Sequence, residues 1–147
     1  MTQILGEAPS IGGVELLAEA SRAFDRAYVP YSNFRVGAAV LAADGRVFAG
    51  VNVENASYGL TICAERVALF TAVAAGASDF RAIAVAAQRM SPALPCGACR
   101  QVMSEHMRAD ATVFLQNSDG SVCETTVGAL LPAAFSPKDL AEGNAKN

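Results

Sequence analysis

Three cysteines and one glutamate stand at a spacing that suits metal-assisted hydrolysis. Residues 63–65 read Cys-Ala-Glu, and residues 95–99 read Pro-Cys-Gly-Ala-Cys. Thiolates are preferred zinc ligands, and three of them leave one tetrahedral position open. Water at an open position of zinc has its pKa lowered from about 15.7 to about 7, which makes it a nucleophile at neutral pH. Glu65 is close enough in sequence to move the protons of that water, so the spacing predicts a catalytic site.

Both cysteine motifs are predicted to begin helices. The free N–H groups and the dipole at the start of a helix favour thiolate over thiol. Cys96 and Cys99 are three residues apart and can therefore chelate one ion from one helix face. Three thiolates leave a zinc centre with net negative charge, which Arg66 can offset by donating hydrogen bonds to the sulfurs. We predict that Cys63, Cys96 and Cys99 bind one zinc ion and that Arg66 supports them.

Hydrophobic patterns predict the elements that must position these residues. Residues 35–43 and 46–53 indicate two strands joined by a hairpin at Asp44-Gly45. The uninterrupted apolar run at 81–87 is typical of a strand covered on both faces. The remaining predicted elements are a helix from a Ser10 cap to Tyr28, helices at 63–76 and 97–107, strands at 112–116 and 122–127, and a helical turn at 127–131.

The order of these elements predicts the fold class. A helix, two strands, a helix, a strand, a helix and two strands favour an α/β fold of three layers, α/β/α, with a mixed five-stranded sheet. The two hairpins make antiparallel pairs, and the strand–helix–strand crossovers favour parallel neighbours. The 147 residues, 52% of them hydrophobic, fit a single domain over 1–147 with loose termini at 1–12 and about 140–147.

Composition indicates which classes of partner the protein can bind and in which compartment it is expected. The net charge of −3 offers no basic field for a nucleic acid polymer. The sequence has neither an apolar run of membrane-spanning length nor the start of a secretory signal. We therefore expect a cytoplasmic protein that binds neither membrane nor nucleic acid. In a reducing compartment, four cysteines point to metal binding or catalysis before disulfides.

Two alternatives to a catalytic zinc site stay open at this point. A non-enzymatic structural zinc module would close the site with a fourth protein ligand, and no further Cys or His stands near the motifs. A redox protein would cycle Cys96 and Cys99 as a disulfide. Cys123, in a predicted strand, is interpreted as a small buried hydrophobe, and His106 as a partner of a helix C-terminus.

The motifs together resemble the cytidine deaminase family, in its small, three-cysteine, homotetrameric form. The resemblance covers about residues 14–140 and rests on five segments in the expected order: YVPYSNF at 28–34, NVENASY at 52–58, CAER at 63–66, PCGACRQ at 95–101 and LLPAAF at 130–135. Zinc deaminases combine three metal ligands with a glutamate that moves protons. The resemblance thus implies a cytidine deaminase-like fold, one zinc ion per subunit and Glu65 as the proton shuttle.

The resemblance also implies residue roles and an activity. Asn52 and Glu54 would hydrogen-bond the ribose 3′-hydroxyl, Phe34 would pack against the nucleoside, and Ala64 would contact it. Three positions match residues that complete the pocket from neighbouring subunits of a homotetramer: Ala56, Tyr58 and Phe135. The implied reaction converts cytidine and 2′-deoxycytidine to uridine and 2′-deoxyuridine with release of ammonia. The nearest alternative is deamination of another cytosine-bearing small molecule, such as a blasticidin-type antibiotic.

Overall fold

Five strands form one mixed sheet in the computed structural model, which describes residues 11–144. They are β1 Val36–Ala42, β2 Val47–Val51, β3 Phe80–Ala87, β4 Met107–Gln116 and β5 Val122–Thr126. Their order across the sheet is β2-β1-β3-β4-β5. The β3–β4 pair is parallel, whereas β1–β2, β1–β3 and β4–β5 are antiparallel. The prediction of a mixed five-stranded sheet is confirmed.

Helices cover both faces of this sheet. They are α1 Gly13–Ala23, α2 Ala64–Ala74, α3 Gly97–His106, the single turn α4 Val127–Leu130 and α5 Pro137–Asn144. Helix α1 packs on β1 and β3 from one side, and α2 packs on β1 and β2 from the other. The three-layer α/β/α prediction is therefore confirmed. No helix within residues 11–144 combines the length and apolar character that a membrane span needs.

Strand β3 contributes side chains to two hydrophobic clusters, one on each face of the sheet. Ile83 and Val85 face the α2 side, and the alanines that alternate with them face α1. All of these side chains are buried, which explains why the predicted strand lacks polar alternation. Gly50 of β2 lets α2 approach closely, because a Cβ at this position would lie 2.3 Å from the backbone nitrogen of Ala68. The first turns of α2 therefore rest directly on strand backbone.

One crossover prediction is wrong and another is confirmed. Strand β4 follows β3 and α3 and lies parallel beside β3, as predicted. Strand β3 follows β2 and α2, but its other neighbour is β1, to which it is antiparallel. The chain passes over β1 because the β1–β2 hairpin places β2 at the edge of the sheet. A crossover pattern gives strand direction but not how many strands it passes.

Several element boundaries also differ from prediction. Helix α1 ends at Ala23 and a 3₁₀ turn follows at Phe24–Arg26, so the helix stops short of Tyr28. The predicted Ser10 cap lies outside the described residues, and Gly12 precedes the helix. Strand β4 begins at Met107, directly after α3, rather than at 112.

The chain ends differ from prediction in part. Helix α5 occupies Pro137–Asn144, part of the tail that we expected to be loose. Residues 1–10 and 145–147 lie outside the described part of the chain. The assignment of 1–147 to a single domain stays a prediction.

Candidate metal centre and adjoining cavity

Two helices direct their N-terminal ends to one point. Cys63 immediately precedes α2, and Cys96 immediately precedes α3. Cys99 lies in the first turn of α3 and is fully buried. The three sulfurs lie within 4.8 Å of one another. The structure thus brings together the three thiols that the spacing predicts as ligands.

The chemistry and separation of these donors fit a zinc ion. Tetrahedral Zn–S bonds of about 2.3 Å place neighbouring sulfurs about 3.8 Å apart. The Sγ atoms of Cys63 and Cys96 are 3.8 Å apart. Within residues 11–141, no fourth Cys, His, Asp or Glu joins the group. The donor set therefore leaves a tetrahedral position for a non-protein ligand, as in catalytic rather than structural zinc sites.

The thiols differ in proton affinity. Hydrogen bonds from Cys99 and from Arg66 outweigh the effect of burial and lower the pKa of Cys63 to about 5. The hydrogen bond to Cys63, together with burial and the Glu65 charge, raises the pKa of Cys99 above its ordinary value. Cys63 is a thiolate at neutral pH, whereas Cys99 must give up its proton when a metal binds.

Glu65 occupies the first turn of α2 and is 4% exposed. Its Oε2 lies 3.7 Å from Cys99 Sγ. Burial, and then the negative charge of Cys63, raise the pKa of the Glu65 carboxyl to about 7. A carboxyl that titrates near neutral pH can both accept and donate a proton, as general acid–base catalysis requires.

Arg66 makes the contact that its spacing predicts. Its Nη2 donates to Cys63 Sγ at 3.4 Å. The thiolate raises the pKa of the guanidinium further above its ordinary value, so Arg66 stays cationic. The geometry supports a charge-offsetting role, and the effect of that contact on activity stays a prediction.

A small cavity adjoins the thiols and the carboxyl. Its volume is about 180 Å³, below the roughly 300–1,000 Å³ of pockets for larger ligands. The lining is mostly apolar, and it includes three residues predicted as substrate contacts, Phe34, Asn52 and Ala64. The other lining residues are Val36, Thr61, Ile62, Cys63, Glu65, Val85, Ala87, Met90, Ala93, Leu94 and Cys96. This apolar enclosure with few polar groups suits a small, partly aromatic ligand.

Asn52 and Glu54 hold the chain beside this cavity. Asn52 Oδ1 accepts from Val36 N at 2.9 Å, and its Nδ2 donates to Phe34 O at 2.7 Å. Glu54 Oε1 accepts from the N–H groups of Tyr31 and Ser32 at 3.0 and 3.1 Å, and Oε2 accepts from the Ser32 hydroxyl. The Ser32 hydroxyl is the main cause of the lowered pKa of Glu54. These two side chains therefore position the loop that carries Phe34.

A second concavity meets the first at Thr61. Its volume is about 390 Å³, and its lining is Tyr31, Ser32, Glu54, Tyr58 and Thr61. Glu54 thus lies in the concavity next to the thiols' cavity rather than inside it. The sequence did not predict the hydrogen bond between Ser32 and Glu54. The position of Ser32 within the YVPYSNF segment was the one sign that it belongs to the site.

Besides Glu54, three residues predicted to contact substrate do not line the thiols' cavity of their own chain. Tyr58 and Phe135 are 76% and 59% exposed, and Ala56 is also exposed. Phe135 instead lines a hollow between α3 and α5, and its carbonyl accepts from Gln101 Nε2 at 2.9 Å. A single chain does not bring these residues to the thiols.

Comparisons with known proteins agree with this geometry. The family model described as "Cytidine and deoxycytidylate deaminase zinc-binding region" matches residues 14–116. A cytidine deaminase of Halalkalibacterium halodurans is 56% identical, over 85% of this chain and 95% of that protein. One of Mycobacterium tuberculosis is 42% identical, over 90% of this chain and 96% of that protein.

Solved structures show the same similarity. The crystal structure of cytidine deaminase from Burkholderia pseudomallei superposes with a TM-score of 0.81 at 53% identity, covering 85% of this chain and 100% of that chain. The crystal structure of cytidine deaminase from Mycobacterium tuberculosis gives a TM-score of 0.75 at 40% identity, with coverages of 86% and 98%.

Proposed function

The chain belongs to the cytidine and deoxycytidylate deaminase family, and we infer that it catalyses the zinc-dependent hydrolytic deamination of cytidine and 2′-deoxycytidine. The products are uridine or 2′-deoxyuridine and ammonia. The observation that carries this function is the buried Glu65 carboxyl, 3.7 Å from Cys99 Sγ, between three convergent thiols and an apolar cavity.

Glu65 moves the protons of the reaction. Cys63, Cys96 and Cys99 would hold the zinc ion, which supplies a water activated as a nucleophile at neutral pH. The Glu65 carboxylate accepts a proton from the attacking water and passes it to N3 of the cytosine ring, which makes C4 electrophilic. The carboxylate then takes the proton of the hydroxyl now on C4 and passes it to the 4-amino group, so that the C4–N bond breaks, ammonia leaves and the C4 carbonyl forms. A pKa of about 7 suits both directions of transfer.

Asn52 and Glu54 retain hydrogen-bonding capacity for the sugar. The Asn52 amide has two N–H donors and uses one of them on Phe34 O. The Glu54 carboxylate has about four lone-pair sites and accepts three bonds from the 31–32 segment. One donor and one acceptor therefore remain, and together they can satisfy the ribose 3′-hydroxyl. Phe34 and Ala64 contact the nucleoside from the cavity wall.

The enzyme works as a homotetramer whose pockets are shared between subunits. Exposed aromatic side chains support this assembly, since Tyr58 and Phe135 do not line the thiols' cavity of their own chain. Mixing the inactive variants Glu65→Gln and Phe135→Ala tests it. If pockets are shared, mixed tetramers regain turnover because some of their pockets contain both native residues. Sedimentation as a monomer, or no recovery of turnover after subunit exchange, would contradict the assembly.

The compartment of this enzyme is the cytoplasm. All four cysteines of the chain are free thiols, which a reducing compartment preserves. Fractionation of the source cells, followed by activity measurement in the cytoplasmic and membrane fractions, tests this location.

The decisive experiment follows the loss of cytosine's long-wavelength absorbance on adding purified protein to cytidine. Zinc-loaded and zinc-stripped samples are compared, together with Glu65→Gln. We expect conversion that requires zinc, and a roughly 10²–10⁴-fold lower turnover in Glu65→Gln with zinc still bound. Near-normal turnover in that variant would overturn the role of Glu65. No conversion of cytidine by the folded, zinc-loaded wild type would overturn the substrate assignment.

A further inference from the structure

Phe34 reaches the cavity from a loop rather than from a helix or a strand. Residues 31–35 precede β1, and Asn33 adopts a left-handed φ of 51°. Such a segment lacks the hydrogen-bond ladder that fixes a strand, so contacts from elsewhere must set its position. Asn52 donates to Phe34 O, and on one side of the loop the Glu54 carboxylate binds Tyr31 and Ser32.

Arg89 holds the other side of this loop. It stands just past the end of β3, next to Met90 of the cavity lining. Its Nη2 donates to Asn33 O at 3.0 Å and, more weakly, to Ser32 O at 3.5 Å. Its guanidinium carbon lies 5.6 Å from the centroid of the Phe34 ring, which is within cation–π range. One side chain therefore binds the loop carbonyls and covers the ring that lines the cavity.

These contacts differ from those of an ordinary surface arginine. Arg89 is exposed, and no carboxylate within residues 11–141 forms an ion pair with it. Every hydrogen bond and ring contact described for its guanidinium goes to residues 32–34. Exposed contacts of this kind add little to the free energy of folding, so their effect must fall mainly on where Phe34 stands.

We propose that Arg89 is a positioning residue for deamination, which holds the loop over 31–34 so that Phe34 forms the nucleoside-facing wall of the cavity. The proposal rests on the proposed function, in which Phe34 contacts the substrate. Arg89 touches no reacting atom, and its loss weakens nucleoside binding while proton transfer at Glu65 continues. The effect therefore falls on KM rather than on kcat.

The kinetic test compares Arg89→Met, which removes the charge at similar length, with Arg89→Lys. Arg81→Met is the matched control, because Arg81 is an exposed arginine within β3 that does not line the cavity. We expect Arg89→Met to raise KM for cytidine by roughly 5- to 30-fold, since a cation–π contact and a hydrogen bond are lost. We expect kcat to stay within about twofold, Arg89→Lys to recover part of the loss, and Arg81→Met to change neither constant.

Two kinetic results would overturn the proposal. An unchanged KM accompanied by a lower unfolding midpoint would assign Arg89 a purely structural role. A loss confined to cytidine 5′-phosphate, with cytidine itself unaffected, would make Arg89 a phosphate contact instead.

A spectroscopic test does not depend on turnover. The chain has no tryptophan, so Phe34→Trp introduces a single fluorescent reporter at the position that Arg89 covers. In that background we expect Arg89→Ala to increase acrylamide quenching about twofold and Arg81→Ala to leave it unchanged. Equal quenching in both variants would overturn the contact. If the wild type fails to deaminate cytidine, the proposed function fails, whereas the quenching result still decides whether Arg89 holds this loop.

Discussion

The inner end of the cavity and its rim are built by different kinds of contact. At the inner end, Cys63, Glu65 and Cys99 lie at the N-terminal ends of two helices, α2 and α3. At the rim, the loop over 31–34 is held by three side chains from outside it, Asn52, Glu54 and Arg89. The contacts of Glu54 and Arg89 are exposed, whereas Glu65 and Cys99 are buried.

This difference separates two ways of losing function. The inner end holds the three thiols and the buried Glu65 carboxyl, whose pKa burial raises, so damage there removes the metal or the proton transfer. The rim shapes the space for the nucleoside, so damage there weakens binding and leaves the chemistry intact. Four substitutions test this division, from the largest expected effect to the smallest.

Removal of a thiol at the inner end should have the largest effect. We expect Cys96→Ser to lose most of its zinc and to lower turnover by more than roughly 100-fold, since even indirect support of a metal ligand is typically worth 10–100-fold. Metal analysis and the cytidine assay measure both. Cys123→Ser is the control, because Cys123 is a half-buried thiol of β5 outside the metal group. Full zinc content and turnover in Cys96→Ser would disprove its role as a ligand.

A steric clash between β2 and α2 should displace the helix that carries Glu65. In Gly50→Ala the new Cβ would meet Ala68 N at 2.3 Å and Ala64 O at 2.5 Å, both of them backbone atoms of α2. We expect the free energy of unfolding to fall by about 1–3 kcal/mol and turnover to fall with it, because α2 must shift. Denaturant titration measures the loss. Gly59→Ala, where a Cβ meets open space, should be near neutral, and equal stability of the two variants would contradict the packing.

Arg66 tests whether charge at the inner end can change without loss of the metal. We expect Arg66→Ala to retain much of its zinc and to lower kcat by about 10–100-fold, because the Cys63 thiolate loses its hydrogen bond. Arg66→Lys, which keeps the charge, should recover part of the activity. Unchanged turnover in Arg66→Ala would contradict a charge-offsetting role of Arg66 in catalysis.

Ser32 provides the mildest test, at the rim. Its hydroxyl is the main cause of the lowered pKa of Glu54, so Ser32→Ala should move that pKa upward toward the ordinary value. Because the native pKa is lowered, the loop contacts are complete above the ordinary pKa and are lost as the pH falls through the lowered value. Carbon-13 NMR of the Glu54 carboxyl measures the shift. We expect KM to rise only about 2- to 5-fold, since two backbone N–H groups still bind the carboxylate.

The control for this variant is Ser104→Ala on α3, whose hydroxyl donates to Gln101 O and does not touch Glu54. A Glu54 pKa that is the same in Ser32→Ala and in the wild type would show that the hydroxyl does not stabilise the charged carboxylate. A large fall in kcat would show that the rim and the inner end are not separable.

Sequence spacing predicted the contacts within each of the two helix starts, because their geometry is local. Cys96 and Cys99 share a helix face by their separation of three residues, and Arg66 reaches Cys63 by the same rule. The helix boundaries at Cys63 and Cys96 were also predictable from the motifs that begin there. The roles of these residues in catalysis stay predictions until they are measured.

The rim and the sheet order were less predictable because they depend on distant segments. Arg89 and Asn33 are 56 residues apart, and no local pattern links them. The neighbour of β3 was mispredicted for the same reason, since a crossover does not reveal whether another hairpin already occupies the adjacent position. Helix α5 was missed because it contains few apolar residues, although Pro137 at its first position is typical of a helix start.

By itself the sequence determined the kinds of chemistry available: thiolates for zinc, a carboxyl for proton transfer and an arginine to offset charge. Those follow from residue types and short spacings that a helix preserves. Tertiary structure alone decided that Glu65 is buried with a pKa near 7, and that Glu54 and Arg89 hold one loop from two sides. The physical reason is that burial and the meeting of distant loops arise only when the sheet has brought its strands into one order.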